Sequence, residues 1–333
     1  MIISIFFLII LLLNLFIYYK FNYLTKLANI FDKSDSERKI HVGKVPLFGG
    51  IIFIMNLFIF CLFVNLFELK KFFFLDIYFN LSFFFPILSI FFIGLCDDIF
   101  QIKAEIKLLF IGIVILLILY FDESLIVNNL YFSSIAYKIN LSYYSIPFTV
   151  LCFLLFMNAL NMFDGINLQV GTYFLTILIF MIFKTDYLLF ILTLSIPLAT
   201  FLLLNARNKS FLGDNGSLIL AFIICYLLIK QHNLIQNSLT VEEIFVLMMI
   251  PGLDMFRLFL ERIFKKKHPF HPDKNHIHHY YLKYYGNIKS YFIVQFFVVI
   301  PIVMTFFFHD FYGIFLGLIF YCFFLVQYLF CKK

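Results

Sequence analysis

Asn158-Ala-Leu-Asn-Met-Phe-Asp-Gly-Ile-Asn-Leu-Gln-Val-Gly171 interrupts two strongly apolar runs with amides, a carboxylate and glycines. Asn158, Asn161 and Asp164 are spaced by three, so on a helix their side chains share one face roughly 120° wide. A polar stripe at the end of a membrane helix is costly unless it meets protein, water or a ligand. The runs around it dictate the class. The chain has 333 residues, of which 63% are hydrophobic and 13% charged, with a mean hydropathy of +1.00. That much apolar surface excludes a soluble domain and predicts an all-α polytopic integral membrane protein.

A helix needs about 20 apolar residues to cross the bilayer. Eleven candidate spans follow: residues 1–19, 46–67, 77–96, 105–121, 146–163, 169–184, 187–205, 217–230, 242–263, 291–308 and 311–330. The first has no basic leader and no small-residue cleavage site, so it reads as a retained helix. Residues 122–145 alternate weakly and suit a short hairpin or a surface helix. Assigning each Lys and Arg to its nearest side of the membrane places 20 on the side of the odd-numbered gaps and 5 on the other. The odd side is therefore expected to be cytoplasmic, with the N-terminus outside and the C-terminus inside. Five polar stretches then fall on that side, at residues 38–50, 97–107, 158–171, 205–217 and 265–281, within one multi-pass domain of residues 1–333. Such clustering suits a cytosol-facing site. A transporter or channel would place ionisable residues at mid-helix and on both sides. The six cysteines form no C-x-x-C pair and read as buried spectators. No nucleic-acid motif is present.

Each stretch has its own chemistry. Asp97-Asp98 ends the third span at the negative end of its dipole and calls for a cation, Mg²⁺, Lys103 or Lys107, unless it is simply a solvated terminus. The Asn158/Asn161/Asp164 stripe suits a sugar, a ribose or a hydrated Mg²⁺, or serves as glue between helices; Gly165 is expected to end its helix in the left-handed conformation. Phe211-Leu-Gly-Asp-Asn-Gly-Ser217 opens the eighth span. Gly213 and Gly216 there permit close backbone approach, the helix N-terminus favours phosphate, and Asp214 offers a hard oxygen for Mg²⁺; a capped tight turn is the alternative. The run Lys265-Lys-Lys-His-Pro-Phe-His-Pro-Asp-Lys-Asn-His-Ile-His-His279 fits anion contact through Lys274 and His276, His278 and His279 better than zinc, or else a basic membrane-surface loop. Asp254 and Arg257, three apart, read as a structural ion pair. His232 and His309 read as solvated on the outer side.

Taken together, Gly94-Leu-Cys-Asp-Asp98, Asn158-Ala-Leu-Asn-Met-Phe-Asp-Gly165, Phe211-Leu-Gly-Asp-Asn-Gly-Ser217 and His276-Ile-His-His279 resemble the polyprenyl-phosphate N-acetylhexosamine-1-phosphate transferases, bacterial glycosyltransferase family 4. Arg38-Lys-Ile-His-Val-Gly-Lys-Val-Pro-Leu-Phe-Gly-Gly50 is similar to that family's first cytoplasmic loop. Pro269 to His279 is closer to its O-antigen and teichoic-acid initiators than to its peptidoglycan branch. The resemblance covers about residues 30–290. It implies a multi-pass enzyme of the bacterial cytoplasmic membrane that moves a sugar 1-phosphate from a UDP-sugar to undecaprenyl phosphate. Mg²⁺ would be the metal, with Mn²⁺ admissible, and a homodimer is allowed for. It implies metal binding by Asp214, and polyprenyl phosphate or metal handling by Asp97 and Asp98. Lys107 would contact phosphate. Asn158, Asn161, Asp164 and Gly213 would bind substrate, and the histidine loop with Lys274 would cover the sugar or pyrophosphate. One position departs from the pattern: Asn167 stands where the family has a second aspartate, and the glycine after it is missing, which allows a donor other than UDP-N-acetylglucosamine. The CDP-alcohol phosphotransferases, another lipid-transferase class, need Ala-Arg after Asp-Gly, and this chain has Ile166-Asn167 there.

Overall fold

The computed structural model describes residues 1–32, 43–234, 239–270 and 273–331. Lys33, the segment from Arg38 to Val42, His271, Lys332 and Lys333 lie outside them. Among the described residues the chain forms twelve α-helices: α1 Ile2–Tyr19, α2 Phe21–Ala28, α3 Gly49–Leu66, α4 Phe85–Phe100, α5 Ala104–Phe121, α6 Ser145–Phe163, α7 Gln169–Lys184, α8 Leu188–Asn205, α9 Gly213–His232, α10 Val241–Phe264, α11 Ile277–Phe307 and α12 Asp310–Cys331. Each of the eleven expected spans holds a helix, and among the described residues nine helical segments are long and apolar enough to cross a membrane. Of the other two, α7 has only 16 residues, and α10 carries charges along its 24. The unexpected helix is α2, a short amphipathic piece ended by Asn29 at φ 52°. The protein is an all-helical, multi-pass membrane protein.

The chain divides into two compact units, residues 1–123 with 181–223, and residues 124–180 with 224–333. In the first, phenylalanine fills the interior. Phe6, Phe60, Phe73, Phe79, Phe83 and Phe190 are all buried, with Phe60 and Phe73 edge to face at 4.9 Å and Phe79 and Phe83 stacked at 4.9 Å. Such aromatic pairs add directional attraction to plain burial. α1 and α3 are also joined by a buried amide pair, Asn14 Nδ2 donating to Asn56 Oδ1 at 2.6 Å, a polar link worth making where no water competes. A two-residue pairing of β1 (Phe31–Asp32) with β2 (Val45–Pro46) leads into α3.

In the second unit, residues 129–140 form the hairpin allowed for by the sequence, β3 (Asn129–Phe132) antiparallel to β4 (Tyr137–Asn140). His232, expected to be solvated, is instead buried. Its Nδ1 lies 2.8 Å from Leu239 O and its Nε2 2.9 Å from Asn129 O, so the ring ties the hairpin to the start of α10. α11 was expected over 291–308 and begins at Ile277, because Gly286, at φ 74° and ψ 175°, joins two helical pieces across a sharp turn. Tyr281 before the turn packs on Phe297 after it, with centroids 5.9 Å apart. The piece after Gly286 is about 30 Å long at 1.5 Å per residue, one bilayer thickness. Two cysteines read as buried, Cys96 and Cys322, are exposed.

Candidate active site

The first unit builds a carboxylate–lysine cluster from two helix ends. α4 ends at Gln101, left-handed at φ 53°, and α5 starts three residues later. Asp97 seals this turn: its carbonyl accepts from Gln101 N at 2.8 Å and its Oδ1 from Ile102 N at 2.7 Å. The reversal places Lys107, one turn into α5, opposite Asp97, one turn before the end of α4. Lys107 Nζ lies 2.7 Å from Asp97 Oδ2 and 2.8 Å from Asp214 Oδ2. Lys107, one of the cations expected beside the acidic pair, meets Asp97.

Asp214 is brought there by the glycine-rich loop. Phe211 N donates to Pro46 O at 2.9 Å, and Gly49 N and Gly50 N donate to Phe211 O and Leu212 O at 3.1 and 3.3 Å. Gly213, at φ 74°, then turns the chain into α9, and a Cβ on Gly216 would sit 2.9 Å from Gly50 N. The close approach expected of Gly213 and Gly216 is therefore present. The α9 N-terminus, expected to receive a phosphate, already holds an anion. Asp98 Oδ1 accepts from Asp214 N at 2.8 Å, and its Oδ2 accepts from Asn215 N at 3.1 Å and from Asn215 Nδ2. Both Asp98 oxygens are committed to capping, so this carboxylate orients the loop that carries Asp214. Asn215, not singled out from sequence, is fully buried. Its side chain sits where a Cβ on Gly50 would be 1.9 Å from Oδ1.

Among the described residues, no group of three or more His, Cys, Asp or Glu side chains could hold a metal ion. The donor set still fits a divalent ion bound partly by substrate. Two carboxylate oxygens, from Asp97 and Asp214, converge on one ammonium, and the Asp214 side chain keeps 32% exposure. Mg²⁺ is commonly held by one or two carboxylates plus phosphate oxygens and water.

The second unit holds the asparagine stripe and the histidine loop. α6 ends at Asp164, whose N donates to Asn161 O at 3.3 Å. Gly165 is not left-handed; that conformation falls to Leu168, φ 70°, the position where the family pattern has its second glycine. What requires glycine at 165 is His278: a Cβ there would be 1.9 Å from its Nε2. Asn158 Nδ2 faces Met162 and Met255 sulfurs at 3.4 and 3.3 Å, a contact between α6 and α10 that matches the glue reading. Asn161, Asp164 and Asn167 are half-buried.

α10 pins the histidine loop. Asp254, read as half of a structural pair, does bond Arg257, Nη2 to Oδ1 at 2.8 Å. It also accepts from His276 Nδ1 at 3.0 Å and from Ile277 N at 3.2 Å. Arg257 Nη2 reaches Asn275 O at 2.6 Å, and its guanidinium lies 4.8 Å from the centre of the Tyr328 ring. Arg262 Nε bonds Asp273 Oδ2 at 2.9 Å. Burial alone would raise the Asp273 carboxyl. The Arg262 hydrogen bond, the Asn275 N–H and the charges of Arg262 and His276 outweigh it and hold the group below the ordinary carboxylate range. His278 is 1% exposed, so it packs rather than meets solvent; His276 is 7% exposed, His279 is half-buried and Lys274 exposed. His276 and His278 stack at 5.4 Å.

The fold and these clusters define a multi-pass membrane protein with a lysine-bridged carboxylate cluster at helix ends in one unit and a pinned histidine loop in the other. The profile of glycosyl transferase family 4 matches residues 80–232, just under half of the chain. It is 24% identical over 266 residues to the undecaprenyl-phosphate alpha-N-acetylglucosaminyl 1-phosphate transferase of Salmonella typhi, a match covering 73% of this chain and 66% of that protein. The Escherichia coli (strain K12) protein of the same name is 26% identical over 281 residues, 76% of this chain and 69% of its own. The Thermotoga maritima protein of that name is 27% identical over 267 residues, with 80% and 77% covered. The chain therefore matches just under two thirds of the Salmonella relative's length.

Proposed function

We propose that this chain transfers a sugar 1-phosphate, in our reading an N-acetylhexosamine 1-phosphate, from a UDP-sugar to undecaprenyl phosphate, releasing UMP and starting a cell-envelope glycan. The observation that carries this reading is the Lys107 ammonium held between Asp97 and Asp214, beside a loop whose backbone Asp98 fixes. The relatives' names support transfer of an N-acetylhexosamine 1-phosphate to undecaprenyl phosphate. In our reading the chain has eleven spans in the cytoplasmic membrane, with its loops of 97–107 and 265–281 on the cytoplasmic side.

An oxygen of the lipid phosphate attacks the β-phosphorus of the UDP-sugar. The bond from that phosphorus to the bridging oxygen breaks, and UMP leaves with the oxygen. One phosphoanhydride replaces another, so positioning and charge neutralisation dominate. A phosphate monoester has its second pKa at about 6, so the acceptor is already mostly a dianion near neutrality and needs no strong base. Lys107 offsets the charge of two anionic substrates. Asp97 and Asp214 would hold Mg²⁺, which when bound neutralises phosphate charge. Asp98, with both oxygens engaged at the α9 N-terminus, keeps Asp214 in place, and direct attack is favoured over a phospho-aspartate at Asp98. Asn161, Asp164 and His276 contact the nucleotide sugar.

The test is UMP release by the purified protein given a panel of UDP-amino-sugars and undecaprenyl phosphate, with and without Mg²⁺. Turnover that needs both lipid phosphate and metal supports the reading. No turnover with any donor, or full activity in Asp214→Ala, overturns it; solute flux through liposomes without chemistry would favour a transporter.

A further inference from the structure

Asp254 reaches from α10 to a residue 22 positions later and does three things with one buried carboxylate. It accepts from the Arg257 guanidinium, from Ile277 N at the start of α11, and from His276 Nδ1. His276 provides no side-chain cap for α11 itself, so Asp254 supplies the missing acceptor at that helix start. Arg257 completes the hold by donating to the carbonyl of Asn275, the residue before His276. Two side chains three apart on one helix thus fix the backbone on both sides of His276 as well as its ring.

The ring contact has a chemical consequence. A carboxylate only accepts, so the proton must sit on His276 Nδ1. Among the described residues no hydrogen bond engages Nε2, and this is the nitrogen left to meet a ligand. A carboxylate partner of this kind sets the tautomer and the aim of an imidazole that works on something else. We propose that Asp254 is a positioning residue for the transfer reaction: it fixes His276 with Nδ1 protonated and Nε2 presented to the sugar or pyrophosphate of the donor. Arg257 keeps Asp254 in place through its 2.8 Å bond to Oδ1. This rests on the reading that His276 contacts the nucleotide sugar.

Asp254→Asn separates positioning from plain packing. The amide oxygen can still accept from Ile277 N and Arg257, but its Nδ2 donates, which turns His276 to the opposite tautomer. Nitrogen-15 spectra of histidine-labelled protein in detergent, with the His276 signals assigned through His276→Gln, read this directly. Wild type shows Nδ1–H, and Asp254→Asn shows Nε2–H with an unprotonated Nδ1. In UMP release, kcat falls about 10–100-fold in Asp254→Asn, and adding Asp254→Asn to His276→Gln lowers it no further. Nδ1 unprotonated in wild type, an unchanged tautomer in Asp254→Asn, or full additivity with His276→Gln overturns the proposal. The spectrum of wild type alone decides it if Asp254→Asn does not fold. A wild type inactive with every donor defeats the transferase reading while the spectra still judge the tautomer.

Discussion

Replacing Gly165 by alanine adds one methyl at the point where the Asp-Gly pair meets the histidine loop. The new Cβ would lie 1.9 Å from His278 Nε2, 2.4 Å from Cδ2 and 2.7 Å from Cε1. Ordinary contact needs about 3.4 Å or more, so the imidazole must retreat by roughly 1.5 Å. It has little room: the ring is almost fully buried, stacks on His276, and has its centroid 4.3 Å from that of His279. Overpacking a dense interior costs about 1–3 kcal/mol, and a clash of this depth against a ring belongs at the upper end. At about 2–4 °C of Tm for each kcal/mol in a unit of this size, Gly165→Ala in detergent should melt some 5–10 °C below wild type, with UMP release lost because His276 is dragged with its neighbour. Removing the obstacle tests the cause: Gly165→Ala with His278→Ala should be more stable than Gly165→Ala alone. If Gly165→Ala melts within a degree of wild type, or the double variant is the less stable, then His278 is not what requires glycine there.

Lys107→Met leaves Asp97 and Asp214 facing each other without their cation. Stranding largely buried charge in this way costs about 3 kcal/mol, so the variant should unfold earlier in a thermal melt, and Asp97→Asn should restore much of the loss. At Leu168, the left-handed backbone disfavours any side chain by about 1–2 kcal/mol; Leu168→Gly should therefore melt above Leu168→Ala, a comparison that cancels the lost leucine contacts. Asp273 has its folded pKa depressed, so the stability it contributes is present above the ordinary carboxylate range and lost as pH falls through the folded value. Hydrogen exchange of residues 273–279 should rise on that acid side in wild type, and Asp273→Asn should show no such step.

The helices were legible because apolar runs of membrane length have few other folds open to them, and the runs at 105–121 and 187–205 were placed to within one residue at each end. Misplaced boundaries have local causes. α11 starts 14 residues early because the polar segment after His276 is helical on its own and Gly286 breaks it from the span, which an apolar count cannot register. In the candidate site, the residue types were readable and their partners were not. Asp97 and Asp98 are adjacent and alike in sequence, yet one takes Lys107 and the other takes backbone N–H groups of α9, because neighbouring residues on a helix point about 100° apart. Asp254 looked like half of an i,i+3 pair. Its other two partners, His276 Nδ1 and Ile277 N, lie across a loop, and only the unused acceptor capacity of a carboxylate paired once hints at them. Gly165 carried a signal that was assigned to the wrong cause: glycine at a helix end suggests a left-handed cap, whereas here it is a matter of space.

Three glycines, on α3, on α4 and at the start of its own helix α9, crowd against Asn215. A Cβ on Gly50 would strike its Oδ1 at 1.9 Å, one on Gly94 would come within 2.5 Å of its Cα, and one on Gly213 within 2.9 Å of its Nδ2. The four positions therefore cannot drift independently. Removing the asparagine side chain does not admit a bulkier residue at 50 or 94, because the backbone Cα and N of residue 215 block position 94 and the backbone N of Gly216 blocks position 50. Losing the asparagine loosens Asp98 and, through it, Asp214. Glycine at 50 and 94 is thus held by backbone contact that no change at 215 relieves, so sequences descended from this one can diverge along their exposed apolar faces while these two positions stay glycine.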